Sequence, residues 1–360
     1  MGAATGSNKG VAHFTKVSAR DSSRILAVHG FKPLCLGFGL ALLFCAPAGA
    51  APLEYLTGAG DKAAPVVALT WGVIAISLCV IIVITALLAA GLWKNPPRAI
   101  IIGEKKTAIG PEEGGLNWLW IGVGISSLVL LFTVVWTVIV LAEIQAPASK
   151  PAVTIEITGR QWWWQIHYVS GAGRDFYTAS EIHIPAGEVV RLKLIGGDVI
   201  HSFWVPQLAG KMDAIPGQIN ETWIEASKPG IYQGQCTEYC GVEHAEMLFR
   251  VVAQSPADFH AWWVHQLLAP VSTNGRQAFV QNCGRCHSMR GTAATGTLGP
   301  DLSHLMERQT IASGALPNNA RAIAAWIANP PAIKPGTLMP AIKLADGDRA
   351  GITNFLLAQN

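Results

Sequence analysis

Two long apolar runs, Val66–Leu92 and Leu116–Ala142, stand out along the chain, and neither contains a charged residue. Each is about 27 residues, enough to cross a bilayer with some tilt. Trp71 and Trp93 flank the first, and Trp118 and Trp120 open the second. Aromatic rings favour the headgroup level, so the pattern predicts a membrane hairpin with interfacial anchors. The intervening loop carries Lys94, Arg98, Lys105 and Lys106. The positive-inside rule places that loop in the cytoplasm and everything after Ala142 on the outer, periplasmic side of the inner membrane. Upstream, a basic segment precedes the apolar run Leu34–Ala46 and the small-residue pattern Ala48-Gly49-Ala50. Basic region, short apolar core and A-x-A together predict a signal peptide over 1–50.

From residue 152 the period changes to two. Val153, Ile155 and Ile157 alternate with Thr154, Glu156 and Thr158. Further strand-like runs occupy 162–168, 180–185, 188–195, 219–226 and 246–252, many separated by Gly or Pro. Regularly spaced short strands predict a small all-β sandwich or barrel over 150–265. A linker follows near Leu268–Gly275. The remainder, 275–360, reads as helical, most clearly at Ala320–Ala328 and Asp348–Gln359. The fold class expected is therefore a multi-domain membrane protein: a two-helix transmembrane hairpin over 51–145, then an all-β and an all-α domain.

Composition agrees with a membrane segment: of 360 residues, 51% are hydrophobic and only 14% charged. A formal charge of +3 is too small to indicate nucleic-acid binding. Of 7 cysteines, Cys35, Cys45 and Cys79 lie in apolar runs and read as passive packing residues. The other four form close pairs, each with a histidine nearby, which is cofactor spacing rather than a disulfide framework.

The first pair lies in Cys236-Thr-Glu-Tyr-Cys240-Gly-Val-Glu-His244-Ala-Glu-Met247. Soft sulfur ligands select copper, zinc or iron–sulfur clusters, and a weak thioether points to copper. His201, in His-Ser-Phe-Trp-Val-Pro, adds a donor upstream. One ion would not use all of these; two coppers bridged by both thiolates would, each with one histidine and one weak ligand. The backbone carbonyl of Glu238 suits the remaining weak position. Structural zinc has no use for a methionine, and a Cys236–Cys240 disulfide is the other alternative.

The second pair, Cys283-Gly-Arg-Cys286-His287, is a c-type haem attachment sequence. Two thioethers fix the porphyrin and His287 lies beneath the iron. The opposite ligand must come from elsewhere in the domain: Met289 is too near His287, leaving Met306 and Met339. Met339 is preferred, because Pro335-Gly-Thr-Leu-Met339-Pro340 forms a loop between helices. His/Met ligation raises the haem potential, which suits electron transfer.

Residues 60–255 resemble cytochrome c oxidase subunit II. The match rests on His201-Ser-Phe-Trp-Val-Pro, Met212-Asp-Ala-Ile-Pro-Gly217 and the 236–247 loop, after two membrane helices. The resemblance implies a cupredoxin-like domain whose binuclear copper A is held by His201, Cys236, the Glu238 carbonyl, Cys240, His244 and Met247. It implies a magnesium ion at the Glu238 carboxylate, bordering the catalytic subunit. In Trp162-Trp163-Trp164 it implies that Trp162 is the exposed electron entry to copper, with Trp163 replacing the family's usual tyrosine. Residues 275–360 resemble a class I cytochrome c domain, including the methionine loop and Gly299-Pro300-Asp-Leu, whose proline packs near His287. The whole order resembles subunit II of caa-type haem-copper oxidases. That implies electrons passing from a cytochrome c-type donor through haem c and copper A to subunit I, with subunit III and membrane lipid as further partners. Leu141-Ala-Glu143-Ile-Gln resembles a family segment at a proton-channel mouth, but the topology puts Glu143 outside, where it reads as a solvated helix end. A copper-A nitric oxide reductase component and a copper-handling membrane protein are the competing readings.

Overall fold

The computed structural model describes residues 53–94, 115–147, 149–170, 173–269 and 273–360. The expected signal peptide, Cys35, Cys45, Arg98, Lys105 and Lys106 lie outside the described residues.

Helices α1 (Ala64–Lys94) and α2 (Gly115–Gln145) each run for 31 residues. At 1.5 Å per residue that is about 46 Å, well beyond the bilayer's hydrocarbon thickness. Their apolar side chains are almost all exposed, as lipid-facing residues are. Cys79 is exposed on α1 rather than packed. These two helices make the chain a two-pass membrane protein with its remaining domains outside the bilayer.

Ten strands follow: β1 (Val153–Arg160), β2 (Trp163–Val169), β3 (Phe176–Ala179), β4 (Glu181–Pro185), β5 (Val190–Gly196), β6 (His201–Trp204), β7 (Met212–Ala214), β8 (Ile219–Ile224), β9 (Gly230–Cys236) and β10 (Leu248–Gln254). They form two five-stranded sheets, ordered β3-β2-β1-β5-β8 and β4-β10-β9-β6-β7. Strand β1 pairs in parallel with β5, as β4 does with β10. The period-two pattern of β1 and β2 sends Ile155, Ile157, Trp164, Ile166 and Tyr168 inward, all fully buried between the sheets. This is the cupredoxin-like curl. Strands β3, β6, β7 and β9 were not expected from the sequence pattern, and β6 and β9 carry His201 and Cys236.

Helix α3 (Pro256–Gln266), also unexpected, closes the β-domain. Ser255 caps it by accepting a hydrogen bond from the Asp258 amide. Its Trp262 and Trp263 pack edge-on against Tyr168 and Phe176. The C-terminal part contains α4 (Arg276–Asn282), α5 (Ala320–Ala328), α6 (Pro330–Ile333) and α7 (Asp346–Leu357). Phe279, Ile323, Ile352 and Phe355 form its separate core. This is the small helical arrangement of a cytochrome c fold.

Candidate copper and haem sites

The tips of β6 and β9, with the loop that follows β9, bring the first set of sulfur and nitrogen donors together. The Cys236 and Cys240 sulfurs lie 3.8 Å apart, and both are free thiols. Two sulfurs on one shared ion lie no more than about 4.6 Å apart, twice a metal–thiolate bond of about 2.3 Å. Each sulfur has its own imidazole. Cys236 Sγ is 4.0 Å from His201 Nδ1, and Cys240 Sγ is 3.6 Å from His244 Nδ1. Each also has one weak donor: the Glu238 carbonyl 3.3 Å from Cys236 Sγ, and Met247 Sδ 3.8 Å from Cys240 Sγ. The donors thus fall into two matching halves about a sulfur pair. That arrangement fits two copper ions better than one.

Surrounding groups hold these donors in place. Asp198 Oδ1 lies 2.7 Å from His201 Nε2, leaving Nδ1 facing Cys236. A ring nitrogen fixed by an outer carboxylate is how ligating histidines are commonly oriented. Burial pulls the His201 pKa down, but its hydrogen bonds to Cys236 and Asp198 outweigh burial and raise it. Hydrogen bonding from the Cys240 thiol holds Cys236 well below the usual thiol range. The Glu238 carboxylate is half-exposed, 3.9 Å from Lys211 Nζ.

The second set lines a cavity of about 350 Å³. Cys283, Cys286 and His287 line it together with Met339 and apolar residues such as Leu298, Ile323 and Trp326. Met306 and Met289 are not among its lining residues and belong to the helical core. His287 Nδ1 donates to the Pro300 carbonyl at 2.8 Å, which leaves Nε2 as a free lone pair. Burial lowers the His287 pKa and keeps the ring neutral, as a metal ligand must be. An apolar cavity with two thiols, a neutral imidazole and a thioether fits a covalently held haem.

The tryptophan run separates into three roles. Trp164 is fully buried and packs edge-on against His201, Phe203 and Phe249. Trp163 and Trp162 line the haem cavity. The exposed position expected for Trp162 is not found: it is only 9% exposed. Its indole Nε1 donates to the Cys240 carbonyl at 3.0 Å, beside Gln161 Nε2 at 2.7 Å. The C-terminal domain covers it. Lys334, 3% exposed, donates to the carbonyls of Trp162 (3.1 Å), Glu246 (2.8 Å) and Ala312 (3.1 Å). Burial pulls the Lys334 pKa down to about 8. Gly336, at φ 86, brings the same loop over the indole; a Cβ there would lie 2.7 Å from Val242 and 3.4 Å from Trp162. Asp198, Gln161 and Lys334 carried no signal in the sequence that set them apart from ordinary polar residues.

Residues 169–255 match the family model described as cytochrome c oxidase subunit II, periplasmic domain, and 272–360 match cytochrome c. The chain is 40% identical over 196 residues to cytochrome c oxidase subunit 2 of Alkalihalophilus pseudofirmus, spanning 52% of this chain and 56% of that protein. It therefore spans little more than half the length of that relative. It is 28% identical over 281 residues to the subunit 2 of Bacillus sp. strain PS3, 71% of this chain and 78% of that one. The crystal structure of the periplasmic domain of subunit II of cytochrome oxidase from Bradyrhizobium japonicum is 34% identical, covering 33% of this chain and 96% of that one with a TM-score of 0.31. The chain carries a cytochrome c oxidase subunit II domain joined to a cytochrome c domain, an order consistent with caa-type oxidases.

Proposed function

We propose that this chain is the electron-entry subunit of cytochrome c oxidase. It accepts electrons from a cytochrome c-type donor and delivers them to a haem-copper catalytic subunit I that reduces oxygen to water. His201, Cys236, the Glu238 carbonyl, Cys240, His244 and Met247 would hold binuclear copper A. Cys283 and Cys286 would hold haem c covalently, with His287 and Met339 on its iron. When bound, these groups supply one-electron carriers that change charge without making or breaking bonds. The membrane hairpin would seat the domain against subunit I, with subunit III and lipid around it. The exposed Glu238 carboxylate is the group left for magnesium at that border.

One observation carries the reading: Trp162 lines the haem cavity and also donates a hydrogen bond to the backbone of Cys240. A single side chain thus joins the two sites. Lys334 and Gly336 hold the domains together around it, and Asp198 links the Gln161 amide (2.7 Å) to His201 (2.7 Å). In this arrangement an external donor meets the C-terminal domain rather than Trp162, which is already covered.

Rapid photoreduction of the haem, followed by the appearance of reduced copper, tests this route. Trp162→Leu should slow that step about tenfold or more, equivalent to about 1.4 kcal/mol on the barrier. Haem content and the copper spectrum should stay as they are. A native transfer rate in Trp162→Leu would remove Trp162 from the path.

A further inference from the structure

A third cluster of ligating side chains shares no residue with either site and lies where α3 of the β-domain meets the C-terminal domain. It consists of His265, near the end of α3, with His304 and Glu307 around the short turn Leu305–Glu307. Their ligand atoms all lie within 4.8 Å of one another. We propose that His265, His304 and Glu307 form a binding site for a zinc-class divalent cation that pins the two extramembranous domains to each other.

The donor chemistry fits such an ion. Two imidazoles and a carboxylate are a common zinc set, leaving one position for water. Glu307 Oε1 is 2.6 Å from His265 Nδ1 and 3.7 Å from His304 Nδ1. Donors on one zinc lie no more than about 4.4 Å apart, twice the upper end of bonds of about 2.0–2.2 Å. The cluster is already near that size. His265 is 45% exposed at its side chain, so it is free to adjust and gives the ion a way in.

The orientation of the other two ligands is the stronger argument. His304 is 2% exposed, and its Nδ1 has no hydrogen-bond partner. Its Nε2 faces the Leu268 carbonyl at 3.1 Å, so the proton sits on Nε2 and the Nδ1 lone pair turns toward Glu307. A buried acceptor left unsatisfied is destabilising, because it has given up water and gained no partner. A cation removes that cost. Glu307 is fixed from behind as well: Gln266 Nε2 donates to Oε2 at 2.5 Å, leaving Oε1 for the cluster. Ligating histidines and carboxylates are commonly held in this way by outer carbonyls and amides. Here both outer partners come from α3 and its end, so binding would tie α3 to the turn at 305–307. The set contains no sulfur, which separates it from the copper site.

The test uses the full-length protein in detergent, with haem attached and copper loaded first so that zinc cannot take the copper site. It carries no histidine tag. Zinc is added, excess is removed, and zinc per haem is measured together with zinc X-ray absorption. The expected result is one equivalent of zinc with a nitrogen/oxygen shell, lost in His265→Ala and in Glu307→Gln. Retained haem and copper content shows that those variants are folded; His265 is exposed enough for its loss to leave the core intact. No zinc in the parent protein, a sulfur-containing shell, or zinc retained in both variants would overturn the proposal.

Discussion

Lys334 Nζ donates a hydrogen bond to the backbone carbonyl of Trp162 at 3.1 Å, across 172 residues of sequence. The same ammonium reaches Glu246 on the copper side and Ala312 on the haem side. One buried cation therefore ties the aromatic bridge, the copper loop and the haem domain together. Lys334→Met leaves three carbonyls without this donor. Hydrogen bonds to charged groups contribute about 1.5–3 kcal/mol each. Relief from burying an ammonium offsets part of that, so the expected net loss is roughly 2–4 kcal/mol of domain docking. Faster amide exchange at 246 and 312, and slower transfer from haem to copper with both metals retained, are the outcomes to look for. Unchanged exchange at those positions would show that docking does not depend on Lys334.

The copper assignment makes a sharper demand. With the sulfurs 3.8 Å apart and each beside one histidine, removing either sulfur should destroy the pair rather than halve it. Cys236→Ser should lose the delocalised paramagnetic signal of a mixed-valence copper pair while haem content stays constant. A parent protein holding one copper per chain, with a localised spectrum, would exclude the binuclear reading.

Much of this was legible locally, and the reasons for the rest are physical. Strands β1 and β2 announced themselves because one face is buried and the other is not, so their side chains alternate. Strand β9 did not, because Gly230 and Gly234 interrupt it. Gly234 leaves the space that the Phe249 ring fills, so the strand's packing group lies on its neighbour. The ligands could be read from residue type and spacing, since cysteine, histidine and methionine are uncommon enough to carry chemical meaning. Lys334 could not be read, because its sequence setting, Pro-Ala-Ile-Lys-Pro-Gly, is that of an ordinary solvated loop. Its burial, like that of Trp162, arises only when two domains meet.

Acid should weaken the β-domain through a specific cluster. His167 Nδ1 lies 3.1 Å from Glu156, and Nε2 lies 3.6 Å from Asp175; Lys193 reaches Glu156 at 3.3 Å. Burial raises the Glu156 pKa, but hydrogen bonds from His167 and Lys193 outweigh it and hold the carboxyl below its ordinary value of 4.5. The Ser170 amide and hydroxyl hold Asp175 low in the same way. A depressed folded-state pKa means the unfolded chain takes up the proton first. The stabilisation is therefore complete above about pH 4.5 and is lost as pH falls through the lower, folded value. Thermal melts of Glu156→Gln should lie below those of the parent at neutral pH and converge with them in strong acid. A constant gap at every pH would mean that Glu156 acts by packing alone.

The last prediction concerns which methionine faces the haem. Met339 lines the cavity that holds Cys283, Cys286 and His287, whereas Met306 packs into the helical core and Met289 is buried there at 1% exposure. His287 is fixed by Pro300 on its own side, so the opposing ligand must approach across the cavity. The loop from Lys334 to Leu344 does this, and its start is anchored to the β-domain by Lys334. Met339→Ala should abolish the far-red sulfur-to-iron charge-transfer band of the oxidised protein, lower the haem potential and leave the haem covalently attached. Met306→Ala should keep the band, with its cost appearing in stability; Met306 is only partly buried, so that cost should fall below the roughly 2–5 kcal/mol of a fully buried methionine. The reverse pattern would move the ligand to Met306. Retention of the band in both variants would point to Met289 and would require the core around Phe279 to open, which amide exchange at α4 would detect.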